Sequence, residues 1–361
     1  MIHSYGRQWF HPSSGKAFHT DFLKADKMAM EGHTISAINI YNSMSSFSPP
    51  ARRRIRQAKR QAQTYLRFPE RKEEIRISFI DWYGNFSSSD LFISQLLNSV
   101  DLPWKETCIS DADLVIAGCY GNEIHKNQQL LDDKLVLFIS GENLLPSYDI
   151  HDFSLTTLPD SFCDKNFRYP QWYGEVDFKN TKSPSLTYAN KPLLSYERDL
   201  KFSAIYNNST PQREEQIFLL KQFFGDQSVH IYGSHRGNEI DKIAILARTK
   251  INICFENSIG NGYCTEKLLH ALSLGCNALY WGDPSFCRDF KSTNVFNLYE
   301  SDQDNLIEWC RQRLAATRQG PMLTALPIND IVQSEVNLKP VANHVRKWLK
   351  LILNFRSPLL T

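Results

Sequence analysis

Apolar and polar positions change their rhythm near residue 75. Upstream, Ile55, Ala58, Ala62, Tyr65 and Leu66 recur mostly at intervals of three and four among Arg, Lys and Gln. That spacing predicts a narrow amphipathic helix after the breaker run Ser45–Pro50. From residue 75 compact apolar runs take over. Ile75–Ile80, Asp113–Gly118 and Lys134–Ser140 read as buried strands, with a helix over Leu91–Val100. The polar stretch Lys179–Glu197, with two prolines, reads as a linker. The pattern then restarts, with strands over Phe202–Tyr206, Val229–Gly233, Ile251–Phe255 and Ala278–Trp281, and helices over Glu214–Phe224 and Thr265–Leu274. Apolar strands alternating with helices predict parallel sheets and an α/β class. The two blocks share this alternation and no tandem repeat. Two such domains place a ligand in the crevice beyond their strand C-termini.

Composition narrows the picture. A chain of 361 residues is long enough for two domains, and 42% hydrophobic with 22% charged residues is ordinary for a globular protein. Lys and Arg number 41 against 39 Asp and Glu, so the net charge is +2 and no global field favours nucleic acid or an anionic membrane. Affinity of that kind needs a local patch. Two segments offer one: the basic run Arg52–Arg60, and Val341–Phe355, where Val345, Trp348, Leu349 and Ile352 share a face beside Arg346, Lys347 and Lys350. Each reads either as a helix packed on the main body or as a contact with phosphates or anionic lipid. The eight cysteines contain no CxxC pair, which argues against a zinc ribbon; they read as reduced, buried thiols. No apolar run is long enough to span a bilayer, and the first residues lack the apolar core of a signal peptide, so a cytoplasmic location is expected.

The densest chemistry lies in Phe255–Lys267, which reads as a strand end, a glycine-containing loop and a helix start. Gly260 and Gly262 let backbone approach a ligand. Thr265 suits an N-cap, and free N–H groups there, with Lys267, suit a diphosphate. Glu266 could accept hydrogen bonds from ribose hydroxyls. The same residues also fit a purely structural turn. Asp111-x-Asp113 has the form of a metal-binding pair, but it enters a buried strand and is set aside.

Phe255-Glu256-Asn257-Ser258, Tyr263, Thr265-Glu266-Lys267 and Tyr280-Trp281-Gly282 together resemble the signature of the α-1,3/1,4-fucosyltransferases, glycosyltransferase family 10, in their bacterial form. Upstream, Ser110–Val115, the run Gly141-Glu142-Asn143 with Pro146 and Asp149, and Asn207-Asn208 through Arg213 follow the family's order. The resemblance spans about residues 75–330. It departs at Asn277-Ala278, where the family usually has a proline, and at Tyr206-Asn207-Asn208, where Val-Ser-Asn is usual.

The resemblance implies a GT-B fold, two Rossmann-like domains facing across a crevice. Residues 75–190 would form the acceptor-binding domain and 191–330 the GDP-fucose-binding domain. Residues 1–74 would be an N-terminal extension with the basic helix, and 331–361 an amphipathic tail. It implies inverting transfer of L-fucose from GDP-β-L-fucose to an oligosaccharide or glycolipid acceptor, with Glu142 as the base. Arg213 and Lys267 match phosphate-binding positions; Asn257, Tyr263 and Glu266 match nucleotide or fucose contacts. With fixed cations in place no metal cofactor is expected, and nucleic acid is no partner. Another GDP-sugar, a protein acceptor, or an inactive glycan- or nucleotide-binding module are the alternatives; peripheral contact with an anionic membrane is a further expectation.

Overall fold

The computed structural model describes residues 15–71, 74–148, 150–159, 165–180, 183–193, 198–233, 241–299, 302–316 and 324–356. Asp149 and Cys163, and parts of the expected linker and of both termini, lie outside them. The chain divides into two compact units, one of residues up to Tyr169 together with those from Leu338 onward, the other Pro170–Asn337.

In the first unit, β1 (Ile75–Ile80), β2 (Trp104–Glu106), β3 (Leu114–Ala117), β4 (Leu135–Ser140), β5 (Phe153–Thr156) and β6 (Asn166–Arg168) form one sheet in the order β2-β1-β3-β4-β5-β6. All its pairings are parallel. Strands β3, β4 and β5 are buried at every position, as expected where both sheet faces are covered. The cover includes α1 (Gly15–Met30), α2 (Thr34–Met44), α3 (Pro49–Arg67), α4 (Leu91–Ser99), and two single turns, α5 (Glu123–Lys126) and α6 (Gln128–Leu131).

Helix α3 is the expected basic helix, with a different buried face. Ser48 caps it by accepting the Ala51 N–H at 3.2 Å, and prolines occupy its first turn, so the breaker run is a helix start. Leu66 is exposed and Ile55 only half-buried, while Ala51, Arg54, Ala58, Gln61 and Ala62 face inward. Arg54 is 0% exposed. Its guanidinium meets both Asp26 oxygens at 2.9 Å and Asp152 Oδ1 at 2.9 Å. Arg53 also pairs with Asp152. Arg60, Arg76 and Arg356 surround Asp113 at 3.3, 2.8 and 3.0 Å. Burial alone would push the Asp113 and Asp152 carboxyls up; the facing arginines hold both below the ordinary range. Leaving any of these charges alone would expose the rest to an uncompensated desolvation cost. Much of the basic run therefore braces the domain rather than forming an anion-binding surface.

The C-terminal helix, Lys339–Phe355, likewise belongs to the first unit. Val345, Trp348, Leu349, Ile352 and Phe355 are all buried. Trp348 stacks on Phe153 of β5, with centroids 4.7 Å apart and planes within 8°. Asn354 Nδ2 donates to the carbonyls of Ala29 and Met30 at 2.7 and 3.1 Å. Of the two readings of this segment, the packed one describes its apolar face, which lies inside the domain. Among the described residues no helix is long and apolar enough to cross a membrane.

The second unit opens with a short hairpin, β7 (Val176–Asp177) against β8 (Ser185–Leu186). Its main sheet joins β9 (Leu200–Ile205), β10 (Val229–Tyr232), β11 (Thr249–Phe255), β12 (Asn277–Trp281) and β13 (Val295–Asn297), all parallel, in the order β10-β9-β11-β12-β13. Its helices include α7 (Pro211–Phe224), α8 (Lys242–Arg248), α9 (Glu266–Ser273) and α10 (Gln303–Ala316). Phe202, Ile217, Leu220, Ile251, Leu279 and Leu306 share one core. The expected linker is part of this unit. Hairpin β7–β8 falls at its start, and the Tyr188 hydroxyl sits 2.9 Å from Ser273 Oγ on α9. The units meet in sequence at Tyr169–Pro170, not near residue 190. Cys254, Cys264, Cys276 and Cys310 are buried free thiols, but Cys108 and Cys287 are exposed, which corrects the expectation for those two.

Candidate active site

In the second sheet the chain leaves β9 toward β10 on one side and returns as β11 on the other. Loops leaving the C-terminal ends of β9 and β11 therefore diverge, and such a switch point is where open parallel sheets bind ligands. Both predicted phosphate-binding cations lie there.

Arg213 stands in the first turn of α7, whose N-cap Thr210 accepts the Arg213 N–H at 3.4 Å. The side chain is buried. Nη2 donates to the Phe255 carbonyl at 3.1 Å, and Nη1 donates to that of Asn208. The guanidinium lies 4.4 Å from the Tyr206 ring centre. Tyr206, one of the departures from the family pattern, thus supplies an aromatic face to the cation. Burial lowers the Arg213 pKa, opposed by Tyr206, Glu214 and Glu256.

Lys267 lies in the first turn of α9, with Nζ 3.1 Å from Glu256 Oε2 and 2.9 Å from Thr265 Oγ1. Glu256, the first residue after β11, is 0% exposed. It also accepts the Thr265 N–H at 2.8 Å and the Thr265 hydroxyl at 2.7 Å. Burial raises its pKa, against the pull of Lys267 and Thr265. Gly282 makes room for this arrangement: a Cβ there would fall 2.5 Å from Glu256 Cγ and 2.6 Å from the Tyr280 hydroxyl.

The helix start is less open than expected. The Thr265 N–H is held by Glu256, and the Glu266 N–H donates to Gln171 Oε1 at 3.0 Å. Thr265 occupies the N-cap position, but its hydroxyl turns to Glu256 rather than capping α9. Glu266 sits 3.5 Å from Lys242 and 3.8 Å from Lys267. Burial would raise its carboxyl pKa, yet Lys267, Lys242 and His270 bring it down to about 2. Asn257 is exposed at the strand tip. Tyr263 is buried, in a loop where Gly262 takes φ +89°, a conformation that favours glycine. Arg213, Glu266 and Lys267 thus gather around the tip of β11, with Asn257 on its surface and Tyr263 within the fold.

The predicted base stands in the other unit. In the first sheet the strand order switches sides between β1 and β3, and Glu142 follows β4, the next strand. The Ser140 hydroxyl accepts the Glu142 N–H at 3.1 Å, and Tyr120, just beyond β3, donates its O–H to Glu142 Oε1 at 3.1 Å. Burial and the Glu142 charge raise the Tyr120 pKa, so the phenol stays a donor. After β1, Asp81 adopts φ +58°, and its carboxylate accepts the N–H groups of Glu123 at 2.6 Å and Ile124 at 2.9 Å. Those bonds tie the β1 loop to α5 beside Tyr120.

Sequence reading did not assign Glu256, Tyr206, Gln171 or Tyr120. Glu256 carried a usable signal, a carboxylate ending a wholly apolar strand beside a lysine-bearing helix start. Tyr206 and Tyr120 look like ordinary strand-end aromatics, and Gln171 acts from far along the chain.

No protein-family profile matches the chain. The Helicobacter pylori α-(1,3)-fucosyltransferase FucT is 25% identical over 263 residues, covering 63% of this chain and 54% of that protein. The chain therefore spans about half the length of this curated relative. A crystal structure of an α1,3-fucosyltransferase aligns at TM-score 0.57 and 20% identity, over 79% of this chain and 92% of that one. A crystal structure of an α1,3-fucosyltransferase with GDP-fucose aligns at TM-score 0.55 and 20% identity, over 76% and 90%. Their fold matches the two parallel-sheet units, giving the GT-B class of two Rossmann-like domains. In sequence the chain is similar to an α-(1,3)-fucosyltransferase, and in fold to solved α1,3-fucosyltransferases.

Proposed function

We propose that this chain transfers L-fucose from GDP-β-L-fucose to a hydroxyl of a glycan with inversion, forming an α-1,3 linkage to N-acetylglucosamine or glucose. The observation that carries this reading is that two cations, Arg213 and Lys267, reach the same strand tip at a switch point, Arg213 through Phe255 and Lys267 through Glu256. A diphosphate is the ligand class that such fixed cations complement. The named relative in Helicobacter pylori and the solved fucosyltransferase with GDP-fucose supply the sugar.

In this mechanism Glu142 takes the proton from the acceptor hydroxyl. The freed oxygen bonds to the anomeric carbon on the face opposite GDP. The bond from that carbon to the diphosphate oxygen breaks, and its electron pair leaves with GDP. Arg213 and Lys267 stabilise that charge, held in place before the reaction begins. Asn257 and Glu266 contact the nucleotide or sugar, and Tyr263 shapes the loop that presents them. Because these cations belong to the chain, the reaction needs no divalent metal.

Mass spectrometry of products from GDP-fucose and an acceptor array tests the reading. One added deoxyhexose on a galactose–N-acetylglucosamine glycan is expected. Transfer from another GDP-sugar only, or to a protein only, would replace it, and binding of GDP without any product would point to an inactive module. Activity should survive EDTA; complete loss restored by Mn²⁺ would overturn the metal-free step.

A further inference from the structure

Beside Glu142 lies a group of aromatic side chains that no step above uses. Tyr120 is 57% exposed although its hydroxyl is held on Glu142 Oε1. Its ring meets that of Tyr83, 43% exposed, with centroids 6.1 Å apart and planes at 78°. The two rings form an open corner rather than a stack. Tyr83 is fixed from behind: its hydroxyl donates to Asp90 Oδ2 at 2.7 Å, and Asp90 caps α4 through the Ile93 N–H. Phe86 packs edge-on to Tyr83 at 5.8 Å and stacks on Trp82 at 4.3 Å. A chain of contacts therefore runs Asp90–Tyr83–Tyr120–Glu142, anchored at one end in a helix cap and at the other on the proposed base.

Two large aromatic surfaces left to water cost free energy unless something apolar covers them. Because Tyr120 is bonded to the Glu142 carboxylate, whatever covers the rings lies beside a strong hydrogen-bond acceptor, which favours a group that carries hydroxyls. A pyranose ring satisfies both conditions. Its C–H face is apolar and flat enough to pack on an aromatic ring, and its rim carries hydroxyls. We propose that Tyr83 and Tyr120 form the ledge on which the acceptor sugar ring docks, and that Tyr120 is also the positioning residue that holds Glu142 toward that ring. This rests on the proposed function, in which Glu142 is the base.

The two roles separate by substitution. Tyr120→Phe keeps the ring and removes the hydroxyl. It should lower kcat roughly 10- to 150-fold, the size of one lost hydrogen bond to a charged group, with the acceptor KM little moved. Tyr83→Leu removes one wall of the corner. It should raise the acceptor KM roughly 2- to 13-fold, the range of an aromatic packing contact, with the KM for GDP-fucose unmoved. Tyr83→Phe should restore most of that affinity; a role limited to bracing Asp90 would predict no rescue, since Phe lacks the hydroxyl. The probe is the β-linked galactose–N-acetylglucosamine disaccharide, with GDP-fucose titrated separately. Wild-type kcat in Tyr120→Phe would remove the positioning role. An unchanged acceptor KM in Tyr83→Leu, or no rescue by Tyr83→Phe, would remove the ledge. If instead the unmodified protein transfers no fucose, or Glu142→Gln keeps full turnover, the proposed function itself fails and the ledge falls with it.

Discussion

The tips of the two sheets are built from opposite materials. At β11 the chain gathers charge, with Arg213 and Glu256 buried and Lys267 and Glu266 partly buried, each facing an opposite charge, a carbonyl or a ring. At β1, β3 and β4 it gathers exposed aromatic surface around one carboxylate. The contrast follows the ligands proposed for each. A diphosphate repays desolvated, fixed cations, because charge interactions strengthen where water is excluded. A neutral glycan repays surface and a few hydrogen bonds.

Glu142→Gln should open the widest gap between the two tips. Turnover should fall roughly 10²–10⁴-fold, the usual cost of losing a general base, while GDP binding by calorimetry stays near that of the unmodified protein. Loss of GDP affinity in this variant would show that the tips do not divide the work as described.

Arg213→Ala and Lys267→Ala probe the charged tip directly. Each should weaken GDP by about 10- to 150-fold, as for loss of a charge-assisted contact of ~1.5–3 kcal/mol. Guanosine, which lacks the diphosphate, should lose much less. Equal losses for both ligands would mean that these cations serve the fold alone.

A smaller effect is expected at Gly282. Because an added Cβ would press on Glu256 and Tyr280, Gly282→Ala should destabilise the protein by about 1–3 kcal/mol, the range for overpacked interiors. Denaturant unfolding measures it, and wild-type stability would show that the strand end yields at no cost.

The smallest effect concerns pH. Glu266 is held at about 2 against an ordinary 4.5, so its folded-state pKa is depressed. Its contribution to stability is fully present above the ordinary value and is lost as pH falls from there toward the folded value. Urea midpoints of Glu266→Gln, followed from neutral pH into that window, should decline less steeply than those of the unmodified protein. Parallel curves would place the acid sensitivity elsewhere.

Much of this architecture was legible because buried parallel strands are written as continuous apolar runs. Ile75–Ile80 matches its predicted span, and Ile251–Phe255 and Ala278–Trp281 each needed only one or two residues added at the start. Strands β5 and β6, Phe-Ser-Leu-Thr and Asn-Phe-Arg, were not predicted, because they are short and mixed. Their polar members are satisfied inside the sheet: Asn166 Oδ1 accepts from the hydroxyls of Ser154 and Thr156 at 2.8 and 2.7 Å. The basic run misled for a related reason. Charge in sequence reads as surface, yet the partners of Arg54 come from Asp26 and Asp152, contacts of long sequence separation that no local pattern encodes. The candidate site was legible where a loop motif carries it, as at Arg213, Glu266 and Lys267. It was not where the job depends on which side chain lies across the gap, as at Glu256 and Tyr120.

The C-terminal helix also governs the order in which this protein can be made. Most of the first unit precedes the second, yet its sheet is sealed by Trp348 and its Asp113 cage is completed by Arg356, both after the whole second unit. At a ribosomal rate of ~5–20 residues per second, Pro170–Asn337 takes roughly 8 to 34 seconds to emerge. For that interval the nascent first unit lacks its last helix, so Phe153 is without its stacking partner and Asp113 keeps Arg60 and Arg76 but not Arg356. The second unit, contiguous in sequence, can close before its elder neighbour does. A chain cut short within that stretch would keep an unfinished half that displays the apolar surface around Phe153, the feature by which chaperones and proteases recognise an incomplete product.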